Sequence, residues 1–419
     1  MVFRCSNVIL KRIAFLVIAF GFFYTLSSCQ RSQKANLLFD CGLNLHDSYG
    51  LCAHIGGRNL ENEEREKIVS NISHLGVNMV RTDLYWNGIQ KTRHDRMNFS
   101  HLDNMFHSLR RHNLKSLSIL DYSLPEFPDI WNYPVEWGHY VSSVVGRYAG
   151  IVDYWEIWNE ENHPSFWCGL PSSEEYLKVL KKASSIIRNS DANSTVLMGG
   201  MAGMDINYLD SILCSGGGAY FDIINFHYYP NVKPEMLIVQ LQILKKVLDK
   251  YNCRKKVWLT ETGFSTFPNK QIKLKNQVSE EEQALYLPRL FFIAYSYGVE
   301  KVFWYCHKTE EMDERNREHF FGIVHKDLTP KKAYYAFKTL IKMLPDGSTR
   351  PVLKQEGNVF SCSWTTPEHV QVKTYWSMDG DEVVNLGKGK YFDIYGREID
   401  GNEVRLSDSL IYVVDYECN

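Results

Sequence analysis

The sequence predicts an α/β chain built as a (β/α)8 TIM barrel, followed by a small C-terminal antiparallel β-sandwich module. Three observations predict it. Strand-like apolar runs alternate with helix-like periodicity through residues 37–346. Several of those runs turn polar at their C-terminal ends, where a barrel opens to solvent. From residue 347 the texture changes to short alternating runs separated by Gly, Asp and Asn turns. A doubly wound sheet is the rival architecture, but it wants a Gly-rich turn after its first strand, and the sequence has none.

The elements follow in order. Residues 1–28 read as a targeting segment: Arg4, Lys11 and Arg12 precede an apolar run over 13–25 that is too short for a comfortable membrane span. The following Leu26-Ser27-Ser28-Cys29 resembles the lipobox of bacterial lipoproteins. That resemblance implies cleavage before Cys29, lipidation there, and export to a bacterial membrane, at the cell surface or the periplasmic face. An ordinary signal peptide with an incidental Cys29 is the plainer alternative. Residues 29–36 form a polar tether.

Residues 37–46 read as the first barrel strand. A helix carrying Ile68, Ile72 and Leu75 on one face stops at Gly76, and 76–83 is a second strand, apolar until Arg81 and Asp83. Ser100 caps a helix with Leu102, Met105, Phe106 and Leu109, and a third strand spans 114–121. The helix of Val141, Val144, Val145 and Tyr148 leads into a fourth strand ending at Glu160. Ser172 and Ser173 open the next helix, before a fifth strand at 195–198 and a sixth at 221–229. Pro234 starts a helix, and 257–261 is the seventh strand. Ser279 with Glu282 makes a capping box, 299–305 is the eighth strand, and a last helix covers 330–344. The module from 347 to 419 holds runs at 358–364, 370–375, 382–385, 390–394, 403–406 and 410–416.

Composition narrows the function classes. With 47 basic and 49 acidic side chains, the chain has no basic excess to point toward nucleic acid. Its cysteines show neither CxxC pairs nor metal spacing, so neither a metal nor a cofactor is expected. Aromatic residues make up 14% of the chain, which suits both core packing and the apolar faces of sugar rings.

The chemistry-bearing residues collect at matching strand ends: Arg81 and Asp83, Asn159 and Glu160, His227 and Tyr229, Glu261, and Trp304 with His307. Two strands that each end in a glutamate can deliver two carboxyl groups to one mouth, as glycosidic bond hydrolysis requires.

At this point the chain resembles the retaining glycoside hydrolases of clan A, and within them family 39. The resemblance rests on Trp158-Asn159-Glu160 and Leu259-Thr260-Glu261-Thr262-Gly263. Further support comes from Gly42-Leu43-Asn44-Leu45-His46, Gly76-Val77-Asn78-Met79-Val80-Arg81, His227-Tyr228-Tyr229-Pro230 and Phe321-Gly322-Ile323-Val324. It implies Glu160 as acid/base and Glu261 as nucleophile, with Asn159, Arg81, His227, Tyr229, Trp304 and His46 binding a carbohydrate substrate. Glu161 departs from the pattern, since relatives often carry proline there. Plain structural readings stand beside these: Arg81 as an ion-pair partner of Asp83, His227 as a satisfied core histidine, Trp304 as packing, and His54 as a solvated loop residue. The competing functions are a non-catalytic surface glycan-binding lipoprotein on a TIM-barrel scaffold, which has no use for both glutamates, and a metal-dependent barrel hydrolase, which needs more His and Asp ligands at strand ends.

Overall fold

The structure, a computed structural model, describes residues 37–415 apart from positions 40, 232, 269–276, 310–315, 379, 381, 401–402 and 407–408. The targeting segment, the tether and Cys29 lie outside the described residues.

Eight parallel strands close into a barrel: β1 (Tyr49–Cys52), β2 (Met79–Asp83), β3 (Lys115–Leu120), β4 (Tyr154–Ile157), β5 (Thr195–Leu197), β6 (Ile223–His227), β7 (Lys256–Thr262) and β8 (Lys301–Trp304), with β8 pairing back onto β1. Helices surround them: α1 (Asn62–Leu75), α2 (Trp86–Ile89), α3 (Ser100–Arg111), α4 (Pro134–Tyr148), α5 (Ser173–Ser190), α6 (Ile206–Cys214), α7 (Met236–Lys250), α8 (Glu280–Ser296) and α9 (Lys332–Met343). Among the described residues no helix is long and apolar enough to cross a membrane.

Local chemistry sets the helix ends. Gly76 takes a left-handed conformation after α1 and returns its N–H to the Ser73 carbonyl. Ser172 caps α5, and Ser279 with Glu282 completes a reciprocal capping box on α8. Ser100 is not the cap of α3 but its first residue. Asn98 takes the capping role instead, accepting from the Ser100 N–H at 3.0 Å.

The first strand departs most from expectation. Residues 37–39 and 41–46 do not enter the barrel. They run beneath it, where Leu38 donates to the Tyr297 carbonyl, Leu45 donates to that of Ser348, and Asn44 bridges to Thr349. The strand that does enter, Tyr-Gly-Leu-Cys, is short and carries a glycine, so it reads weakly. Gly50 is needed because the Phe303 ring lies 2.2 Å from where a Cβ would stand.

The C-terminal module forms one antiparallel sheet of order β14-β13-β16-β11-β10-β9 and a two-stranded ribbon, β12-β15. Its strands are β9 (Val352–Glu356), β10 (Val359–Thr365), β11 (Gln371–Ser377), β12 (Glu382–Asn385), β13 (Lys390–Phe392), β14 (Glu398–Ile399), β15 (Glu403–Leu406) and β16 (Ile411–Asp415). The sequence pattern does not reveal β9 and β14. Phe292 of α8 stacks on Trp364 and Trp376, fixing the sheet to the barrel's helical layer. Burying such rings contributes roughly 1.5–3 kcal/mol each. A buried polar clasp adds direction: Glu235, just before α7, accepts from Arg289 Nε at 2.8 Å and from Trp376 Nε1 at 2.9 Å.

Candidate active site

The polar strand ends meet in a cleft of about 740 Å³ at the C-terminal mouth of the barrel, ordinary for a ligand site. Glu160, Glu261, Arg81, Asp83, Asn159 and Tyr229 all line it.

Backbone geometry aims Glu160. Trp158 and Glu160 both adopt left-handed conformations, φ 77° and 49°, a cost tolerated where the surroundings over-determine it. Those surroundings are the Trp158 N–H on the Leu120 carbonyl and the Glu160 N–H on Gly200. Gly200 has to lack a side chain, because a Cβ there would lie 2.2 Å from His227 Nε2 and 2.6 Å from Glu156 Oε1.

The carboxyls differ in environment. Glu261 is held by donors on both oxygens: Arg81 Nη1 on Oε1, and the Tyr229 hydroxyl on Oε2 at 2.6 Å. Glu160 lacks such a cation contact. Burial pushes its pKa up to about 7, with His163 and Arg81 only partly opposing it. One oxygen of each glutamate and a nitrogen of His227 lie within 4.8 Å of one another. His227 Nδ1 sits 2.8 Å from Glu160 Oε1 and 3.4 Å from Glu261 Oε2. Burial lowers the His227 pKa to about 3, so the ring is neutral, and the two acceptors assign its proton to Nδ1. These three side chains are also the set of His and carboxylate donors close enough to hold a cation among the described residues. Both Glu261 oxygens, however, already accept from Arg81 and Tyr229, which leaves little charge for a metal.

Arg81 is organised by a residue the sequence reading passed over. Glu156, in the middle of β4 and fully buried, takes Arg81 Nε at 2.8 Å and Nη2 at 2.9 Å. The same Nη2 donates to Asn159 Oδ1 at 2.9 Å, and Asn159 Nδ2 donates to Tyr122. A charged residue inside an otherwise apolar parallel strand was the available signal, because a buried charge demands a partner. Asp83, the expected partner of Arg81, instead faces His54.

Two expected site residues lie elsewhere. His46 is exposed at the opposite end of the barrel, where its carbonyl accepts from Lys301 at the start of β8. It fails as a ligand because the segment carrying it lies below the barrel, and His54, just beyond the true β1, lines the cleft instead. Trp304 is completely buried against Phe264, so it cannot floor an open subsite. The next residue, Tyr305, reaches the cleft. Glu161 is also buried, packs on Gly199 with neither carboxyl oxygen hydrogen-bonded, and has its pKa pushed well up by burial.

A (β/α)8 barrel presenting two close glutamates beside an arginine is the arrangement of a glycoside hydrolase, and residues 174–335 match the family model described as the glycosyl hydrolase catalytic core. The chain is a glycoside hydrolase by class. In structure it is similar to a family 39 glycoside hydrolase from the gut symbiont Bacteroides cellulosilyticus WH2, at 20% identity and TM-score 0.71 over 88% of this chain and 81% of that one. It is similar also to a GH39 β-xylosidase from Caulobacter crescentus, at 13% identity and TM-score 0.64 over 90% and 98% of the two chains. A GH51 arabinofuranosidase from Xanthomonas axonopodis pv. citri follows at 12% identity and TM-score 0.61, over 90% and 97%. At such identities the likeness is one of fold. No curated protein matches the chain in sequence.

Proposed function

We propose that the chain is a retaining β-glycoside hydrolase acting on oligo- or polysaccharides by double displacement. The observation that carries this reading is the approach of the Glu160 and Glu261 oxygens to within 4.8 Å. Retaining enzymes hold their carboxyls about 5–5.5 Å apart, whereas inverting ones leave about 6.5–9.5 Å for a water.

Glu261, ionised under Arg81 and Tyr229, attacks the anomeric carbon. Glu160, protonated near neutral pH, gives its proton to the leaving oxygen as the glycosidic bond breaks. Forming the ester removes the negative charge of Glu261. Glu160, now a carboxylate, takes a proton from water, whose oxygen attacks the anomeric carbon and releases Glu261. His227 bridges both carboxyls and holds their spacing, and Asn159 faces the sugar 2-hydroxyl.

NMR of the first-formed anomer tests the reading. Net retention is expected, and an inverted first product would refute double displacement. Glu261→Gln should abolish turnover while ligand binding persists. For location, we propose a lipid anchor on Cys29, which metabolic labelling with a fatty acid should detect in the wild type and lose in Cys29→Ala.

A further inference from the structure

Directly after the acid/base stands a carboxyl that catalysis as described does not use. Glu161 is completely buried, and neither of its oxygens meets a well-formed hydrogen-bond partner among the described residues. Burial pushes its pKa well up; its own backbone N–H opposes this only in part, and the nearby Glu156 and Glu160 add to the rise. The group is therefore a neutral carboxylic acid. It lies within electrostatic reach of Tyr176 on α5 and Tyr208 on α6. The Tyr208 hydroxyl is buried too, yet makes no bond to it. A buried polar group without partners is rare and asks for a reason. Neutral and unbonded, this one acts through its shape.

That shape meets the turn after β5. A Cβ on Gly199 would stand 1.9 Å from Glu161 Oε2 and 2.5 Å from its Cδ, so the carboxyl occupies the place a side chain would take. At the next residue the crowding comes from elsewhere, since a Cβ on Gly200 would meet His227 and Glu156. The two glycines are thus packed by Glu161 at one position and by the His227–Glu156 pair at the other. Their backbone is what Glu160 rests on. The Glu160 N–H donates to the Gly200 carbonyl at 3.0 Å, and Asn159 bridges to Gly200. Asn162 continues the link, accepting from the Ala202 N–H at 2.7 Å and donating to the Ala202 carbonyl at 3.2 Å. Glu160 holds a left-handed φ of 49°, a conformation that persists only while its surroundings enforce it.

We infer that Glu161 is a positioning residue for the acid/base: by filling the space beside Gly199 it fixes the turn that carries the Glu160 backbone, and so aims the Glu160 carboxyl at the leaving oxygen. This rests on the hydrolase reading above. Glu161 itself touches no reacting atom and moves no proton.

The test uses the whole purified chain with methyl and 2,4-dinitrophenyl β-glycosides of xylose, glucose and galactose. For such pairs kcat/KM reports formation of the glycosyl-enzyme, which needs the proton of Glu160 only when the leaving group is poor. Glu161→Ala should lower kcat/KM on the methyl glycoside about 100-fold, the scale of a 1 Å misplacement. On the dinitrophenyl glycoside it should stay within about threefold of the wild type. Glu161→Gln keeps volume and neutrality and should stay within about threefold on both. Glu161→Asp keeps the acid but is one methylene shorter; it should show the selective loss even if the alanine variant fails to fold. Crystal structures read the same geometry without turnover. Glu160 Oε1, now 2.8 Å from His227 Nδ1, should keep that contact in Glu161→Gln and withdraw from it in Glu161→Ala or Glu161→Asp. Equal losses on both leaving groups, no loss in either shortened variant, a glutamine variant as impaired as alanine, or an unmoved Glu160 would overturn the inference. A wild type that cleaves none of these glycosides counts against the hydrolase reading, and the crystal structures then decide the placement of Glu160 on their own.

Discussion

Glu160 makes the most exacting prediction, because its environment sets when the enzyme can act. Its side chain is 15% exposed, and burial brings its pKa up to about 7. The group is raised above its free value, so the acid form is present below that pH and is lost as pH rises through it. Log kcat/KM should therefore fall above pH 7 with a slope approaching minus one, because about 91% of Glu160 is protonated at pH 6 and about 9% at pH 8. At an ordinary glutamate pKa only about 0.3% would be protonated at pH 7, roughly 150-fold less acid. Neutral His227, with its pKa near 3, cannot produce the limb. The assay is initial rates on a nitrophenyl glycoside across pH 4–10, repeated for Glu160→Ala on a dinitrophenyl substrate whose leaving group needs no proton. The limb should disappear in that second experiment, and azide should restore turnover to the variant. A wild-type limb centred below pH 5, or one that stays at pH 7 without Glu160, would refute the reasoning.

Other outcomes follow from the same geometry. Gly200→Ala drives a methyl into His227 and Glu156, so kcat should drop at least about 100-fold, the scale of a 1 Å misplacement, while circular dichroism stays native. Glu156→Gln replaces the charged partner of Arg81 Nε and Nη2 and leaves Glu261 as the ionised partner of Arg81, so it should cost about 1.5–3 kcal/mol in chemical denaturation, the scale of a hydrogen bond to a charged group. Glu235→Ala removes the carboxylate that Arg289 and Trp376 share between the barrel and the module. It should lower the melting temperature without changing kcat/KM at 25 °C, and a loss of activity in the folded variant would place Glu235 in the catalytic machinery instead.

How far the residues alone carried the reading varies from element to element. Helix ends such as Ser279 with Glu282, or Gly76, were legible because capping is local chemistry within a few residues. Seven of the barrel strands were legible as apolar runs, and Glu160 and Glu261 stood out because each follows such a run. What stayed hidden is what pairing decides. The apolar stretch at 37–46 has strand character, yet its Leu38, Asn44 and Leu45 lie under the barrel, while Tyr-Gly-Leu-Cys enters it because Gly50 lets Phe303 close in. That displacement alone exchanged His46 for His54.

The chain by itself determined the alternation of elements, the strand-end glutamates, and the presence of Arg81 beside them. Only the tertiary structure decided which neighbour faces the cleft. A parallel barrel strand is buried on both sides, so its hydrophobicity carries no sign of direction, and successive side chains point opposite ways. The pairing of β7 with β8, irregular between Leu259 and Thr262, belongs to that level of structure. There Trp304 is sealed against Phe264 and Tyr305 opens into the cleft. Glu156, likewise, becomes the anchor of Arg81 because closure brings β2 and β4 within reach across the barrel interior.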